Sequence, residues 1–155
     1  MAVTVKKIVV GPLEENCYIV YDPEDPEKKC LIIDPGAGGS RIVNCLKAIR
    51  LRPLDIYLTH GHFDHIAGLR KCWDAWRPLV NIHQEDIFQV EFAPRMAQSL
   101  GFEMDPVGCP FETVSDGDEI LFGGISIKVL HTPGHTAGSL CFYAEKEKTL
   151  FSGDT

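Results

Sequence analysis

The sequence predicts an α+β fold. Three observations carry that prediction: β-prone segments joined by short links at the N-terminus, alternating helix and strand patterns through the middle, and an all-β pattern from Glu119 onward. Consecutive strands with short links pair antiparallel. Helix followed by strand is βαβ grammar.

Residues 4–10 alternate loosely and are rich in Val and Ile, which predicts a strand. Gly11-Pro12 breaks it. After the polar Glu14-Glu15-Asn16, residues 17–21 read as a second strand. Residues 22–29 hold two prolines and six charges, so they read as a solvated hairpin loop. Residues 31–33 form a third strand, closing an antiparallel meander at Asp34-Pro35-Gly36. Ser40 is a candidate N-cap for a helix whose Ile42, Val43, Leu46 and Ile49 recur at helical spacing, with Pro53 ending that region. Residues 55–58 are the next strand. Leu69, Cys72, Trp73 and Trp76 again show helical spacing, and the two tryptophans read as packing residues. Residues 79–82 are a strand, with His83 in the loop at its end. Residues 84–100 are helical with an interruption near Pro94, and the proline-containing stretch 102–113 is irregular. Residues 119–122 and 125–130 are strands joined by Gly123-Gly124, a hairpin signal. Strands at 140–144 and 149–152 follow, and Gly153-Asp154-Thr155 is a turn.

The chemistry concentrates at the end of the 55–58 strand. Residues 58–65 read Leu-Thr-His-Gly-His-Phe-Asp-His, which brings three of the six histidines and one aspartate into six positions. Histidine is the commonest zinc ligand and carboxylate its usual companion. Loops at the carboxyl ends of strands are where α/β sheets bind ligands. A compact loop lets His60, His62, Asp64 and His65 converge. The arrangement of strand, turn and ligand recurs at His131-Thr132-Pro133-Gly134-His135 and at Ser152-Gly153-Asp154. Three strand ends that each deliver His or Asp can build one metal site from distant sequence.

Composition bounds the partners. The net charge of −7 argues against nucleic acid bound through a basic surface. No apolar run is long enough to cross a membrane, and the N-terminus reads directly as a strand rather than a signal peptide. A cytoplasmic protein is expected. The six cysteines form no Cys-x-x-Cys pair and read as core thiols. One domain spanning 1–155 is expected, since no linker or repeat divides the chain.

Residues 59–65 (Thr-His-Gly-His-Phe-Asp-His), 132–139 (Thr-Pro-Gly-His-Thr-Ala-Gly-Ser) and 152–155 (Ser-Gly-Asp-Thr) together resemble the metallo-β-lactamase superfamily. Gly11-Pro12-Leu13-Glu14-Glu15-Asn16-Cys17-Tyr18 and the Ile33-Asp34-Pro35-Gly36 turn are similar to the small glyoxalase II-like hydrolases. The resemblance implies an αββα sandwich, two mixed sheets with helices outside. It implies two metal ions, expected as zinc, with iron or manganese as alternatives. His60, His62 and His135 would hold the first, Asp64 and His65 the second, and Asp154 would bridge them. Asp64 would also orient the nucleophile. His131 and Asp34 would support the site rather than ligate. The family's further histidine, downstream of the bridging aspartate, has no counterpart here. The second site is therefore expected to lack one protein ligand, and the sandwich to be incomplete at its C-terminal end. Open sheet edges would then invite self-association.

The implied reaction is hydrolysis of a thioester such as a hydroxyacylglutathione by a metal-bound hydroxide. The resemblance also admits a persulfide dioxygenase with one iron on His60, His135 and Asp154. A third expectation is a catalytically poor fragment of a longer enzyme.

Overall fold

The computed structural model describes residues 3–155. Met1 and Ala2 lie outside the described residues. The first sheet has six strands in sequence order: β1 (Thr4–Val10), β2 (Glu15–Tyr21), β3 (Lys29–Ile33), β4 (Arg52–Tyr57), β5 (Leu79–Ile82) and β6 (Glu112–Thr113). The first three pair antiparallel, and from β3 to β6 the pairing is parallel. The expected meander and βαβ units therefore share one mixed sheet. The crossovers are α1 (Gly39–Ala48), then α2 (Phe63–Ile66) with α3 (Leu69–Trp76), then α4 (Ile87–Ser99). The second sheet is antiparallel, ordered β10-β9-β8-β7, from β7 (Glu119–Phe122), β8 (Ile125–His131), β9 (Leu140–Ala144) and β10 (Thr149–Phe151).

Strand alternation divides the core in two. In β3, Ile32 packs under the helices, whereas Leu31 and Ile33 pack against the second sheet. In β4, Ile56 and Tyr57 divide the same way. From the other side, Ile125, Ile127 and Val129 of β8 and Phe142 of β9 fill the space between the sheets. Each such side chain contributes about 1.5–3 kcal/mol by leaving water. The layers are helices, mixed sheet, antiparallel sheet. Leu121 and Leu150 point away from the inter-sheet core and are exposed. Among the described residues no helix covers that outer face.

Several local expectations are corrected. Ser40 lies inside α1; Gly38, in the left-handed region at φ 87°, takes the cap position with no side-chain bond. Ser40 instead accepts a hydrogen bond from Lys71 Nζ. Pro53 does not follow the helix as a stop but lies within β4, where the register with β3 slips between Cys30 and Leu31. A bulge is where a strand tolerates a missing N–H. Pro94 does not interrupt α4. Val90, Ala93 and Ala97 bury that helix against the core, and this packing outweighs the hydrogen bond that proline removes. Asp64 and His65 sit in the helical turn α2 rather than in an open loop. Among the described residues no helix is long and apolar enough to cross a membrane.

Candidate metal centre

Five strand ends meet at one edge of the two sheets. β3 ends at Asp34, β4 at Thr59-His60-Gly61-His62, β5 just before a 3-10 turn (Gln84–Asp86), β8 just before the His135 loop, and β10 just before Gly153-Asp154. A 2.8 Å hydrogen bond from Leu140 N to Thr59 O ties the second sheet to the first at this edge. Gly153 makes the last approach possible. It adopts φ 54°, and a Cβ there would lie 2.5 Å from Thr59 Oγ1.

All six sequence-assigned residues come together. His60, His62 and His135 form one group and Asp64, His65 and Asp154 a second, each with potential ligand atoms within 4.8 Å of one another. The three imidazoles of the first group meet edge to face, with centroids 4.6–4.9 Å apart. Asp154 lies between the groups. Its Oδ2 is 3.2 Å from His135 Nε2 and 3.9 Å from His60 Nε2, and its Oδ1 is 3.1 Å from His65 Nε2. Asp64 Oδ2 stands 3.6 Å from His65 Nε2. His60 and His65 are buried, while His62, Asp64, His135 and Asp154 are more open, so the cluster has a solid floor and an accessible side.

Asp34 sets the tautomers. The turn holds it in the left-handed region at φ 53° and buries it. Its carboxylate accepts from Thr59 N (2.8 Å), Thr59 Oγ1 (2.6 Å) and His65 Nδ1 (2.9 Å). The Thr59 hydroxyl, having donated its proton to Asp34, is left to accept from His60 Nδ1 at 3.0 Å. Both histidines then carry a proton on Nδ1 and turn Nε2 into the cluster, and in His60 that Nε2 is a bare lone pair. His60 Nε2 is buried without a hydrogen-bond partner. A buried orphan acceptor costs free energy, and here it faces a carboxylate and two more imidazoles. Such a donor set suits a divalent cation, with hydrogen-bonded outer groups fixing ring orientation.

Electrostatics agree. Burial lowers the His60 pKa to about 4, so the ring is neutral, as a ligand must be. Burial also lowers His62, with His135 adding to the effect. For His65 burial opposes charge, but the hydrogen bond and charge of Asp34 overcome it and raise the pKa to about 9. A cation on Nε2 would take the place of that extra proton. Glu15, buried at the start of β2, is pushed up to about 9 by desolvation first and by Asp34 second.

Two buried carboxyls that border the cluster have no assignment from the sequence. Asp86 is fully buried and accepts from Gly61 N, Thr136 Oγ1 and Gly138 N, all at 2.8 Å. Its position just beyond β5, at another strand end, was the available signal. Glu15 reads as part of a polar link, and its place in the Gly11–Tyr18 stretch was the only signal. His131 keeps its supporting role. Its Nε2 meets Ala137 O at 2.9 Å and its ring stacks on His83 at 4.2 Å. His83, left without chemistry in the sequence, caps the 3-10 turn by accepting from Glu85 N. The six cysteines are free thiols, and burial pushes those of Cys30 and Cys72 up to about 12, which removes them as nucleophiles.

Comparison with known proteins fits this geometry. The family described as "Metallo-beta-lactamase superfamily" matches residues 10–155. An uncharacterized protein of Aquifex aeolicus is 37% identical over 154 residues, covering 97% of this chain and 69% of that protein. The hydroxyacylglutathione hydrolase GloC of Haemophilus influenzae is 30% identical over 149 residues, covering 95% of this chain and 69% of GloC. A crystal structure of TTHA1623 in a di-iron-bound form superposes with a TM-score of 0.85 at 32% identity, covering 96% of this chain and 71% of that one. With its sheets, its clustered histidines and aspartates and these matches, the chain belongs to the metallo-β-lactamase superfamily of metallo-hydrolases.

Proposed function

We propose that the chain carries the metal centre of a thioester hydrolase acting on a hydroxyacylglutathione or a similar small thioester. The observation that carries the reading is Asp154 placed between two ligand groups, with His135 on one side and His65 on the other. The likeness to GloC supports this substrate class. Divalent cations held by these residues, zinc or iron, would polarise a carbonyl and acidify water.

The chain's own residues do the rest. His60, His62 and His135 present ring nitrogens from two loops, and Asp64, His65 and Asp154 supply the carboxylate-rich half. Asp34 and Thr59 hold the ring orientations. Asp64 and Asp154, on the open side, are placed to accept a proton from an attacking water. A thiolate leaves without strong acid assistance, so the reaction needs no dedicated proton donor. Free buried thiols fit a reducing compartment such as the cytoplasm, and the net charge of −7 disfavours nucleic acid as partner.

A one-iron persulfide dioxygenase is the second reading, because His60, His135 and Asp154 also converge, at 3.9 and 3.2 Å. Elemental analysis of purified protein, with thioester hydrolysis on the same sample, separates the two. Two metals per chain and hydrolysis abolished by a chelator are expected. One iron with oxygen consumption on a persulfide selects the second reading, and neither activity in metal-loaded protein overturns both.

A further inference from the structure

His60 and His62 stand on a loop of the first sheet and His135 on a loop of the second. Their rings lie 4.6–4.9 Å apart across that junction. We propose that Asp86 is the positioning residue of this three-histidine group, clasping the two loops at the separation that a metal ion requires. The inference rests on the metal-centre reading above.

Asp86 touches none of the proposed ligands. Two of its three donors, Gly61 and Thr136, adjoin them in the chain. Gly61 N lies between His60 and His62, and gives its hydrogen bond to Asp86 Oδ2 at 2.8 Å. Thr136 follows His135, and its hydroxyl donates to the same oxygen at 2.8 Å. Gly138 N, further along that loop, donates to Oδ1 at 2.8 Å. One carboxyl thus fixes the backbone beside all three histidines. The fit is close: a Cβ on Gly138 would lie 2.7 Å from Asp86 Oδ1 and 2.8 Å from Asp86 Cβ. The clasp is braced from behind. Asp86 N donates to His83 O at 3.0 Å, the His83 ring stacks on His131, and His131 Nε2 holds Ala137 O at 2.9 Å. Burying a carboxyl this deeply is costly unless it is hydrogen-bonded. A chain that only needed to close a turn here could use an apolar residue.

The test is Asp86→Asn, which keeps the shape but turns one acceptor oxygen into an NH2 group. Its three donors then compete for one oxygen. Co(II) is titrated into metal-stripped wild type and variant, with the visible d–d spectrum reporting ligand geometry and melting of the metal-stripped proteins reporting the fold. Loss of about 10- to 100-fold in affinity for the first equivalent, the range for groups that orient metal ligands, is expected, with an altered spectrum. Thr136→Val, which removes one donor, is expected to weaken binding in the same direction, while Thr136→Ser restores it. Lower melting with unchanged affinity and spectrum in Asp86→Asn overturns the proposal. If that variant does not fold, unchanged affinity in Thr136→Val overturns it. Absence of Co(II) binding by wild type overturns the metal-centre reading itself.

Discussion

Replacing Asp34 with asparagine removes the carboxylate that orients His65 directly and His60 through Thr59. Asn tolerates the left-handed backbone at φ 53°, so the turn survives. The amide oxygen can still accept from Thr59 N, but the NH2 group then faces Thr59 Oγ1 and His65 Nδ1, both of which donate to the carboxylate. In the metal-stripped chain, Asp34 is the main group that overcomes burial and raises His65 from 6.5 to about 9. At about 1.4 kcal/mol per pH unit, that rise is worth roughly 3 kcal/mol. Loss of a hydrogen bond to a charged group gives the same order, about 1.5–3 kcal/mol. A folded-state pKa raised above the unfolded value stabilises fully below the unfolded pKa, and the contribution is lost as pH rises through the folded one. Urea unfolding of metal-stripped wild type and Asp34→Asn at about pH 6 and about pH 9.5 reads this directly. The variant is expected to be roughly 2–3 kcal/mol less stable at the lower pH, with the gap narrowing to about 1 kcal/mol at the higher. An equal gap at both pH values, or none at the lower, would refute the reasoning.

Three further outcomes follow from the geometry. Glu15 is pushed up to about 9 by burial and by Asp34, and neither carboxyl oxygen has a hydrogen-bond partner. The folded chain therefore holds its proton, and wild-type stability falls as pH rises from about 4.5 towards 9. Glu15→Gln has no proton to lose, so the metal-stripped variant should be the more stable one near the top of that range; parallel pH profiles would count against this. Gly138→Ala places a Cβ 2.7 Å from Asp86 Oδ1 and should cost about 1–3 kcal/mol, seen by calorimetry as a melting point lower by about 2–4 °C per kcal/mol. Phe142→Ala empties the inter-sheet core beside Tyr57, whose ring meets Phe142 edge-on at 5.6 Å. A loss of about 3–5 kcal/mol is expected in chemical denaturation, and a loss below about 1 kcal/mol would mean that the sheets collapse onto the gap.

The sequence by itself determined most of the elements and pointed to the candidate ligands. Period-two runs such as residues 125–130 and helical spacing such as Leu69-Cys72-Trp73-Trp76 are local, so strands and helices could be read directly. The six ligand candidates were legible because they cluster at or shortly after strand ends and are residue types that bind metals. Local signals misled where packing outweighed them. Pro94 sits within α4 because Val90, Ala93 and Ala97 bury that helix, and Pro53 sits in β4 because a bulge absorbs it. Only the tertiary structure decided how the ligands are oriented. Asp34 reaches His65 across 31 positions, and Asp86 reaches Gly138 across 52. A carboxyl's worth depends on which donors surround it once buried, and those donors come from other strand ends. That is why Glu15 and Asp86 read as ordinary acidic residues in the chain and as buried, site-bordering groups in the fold.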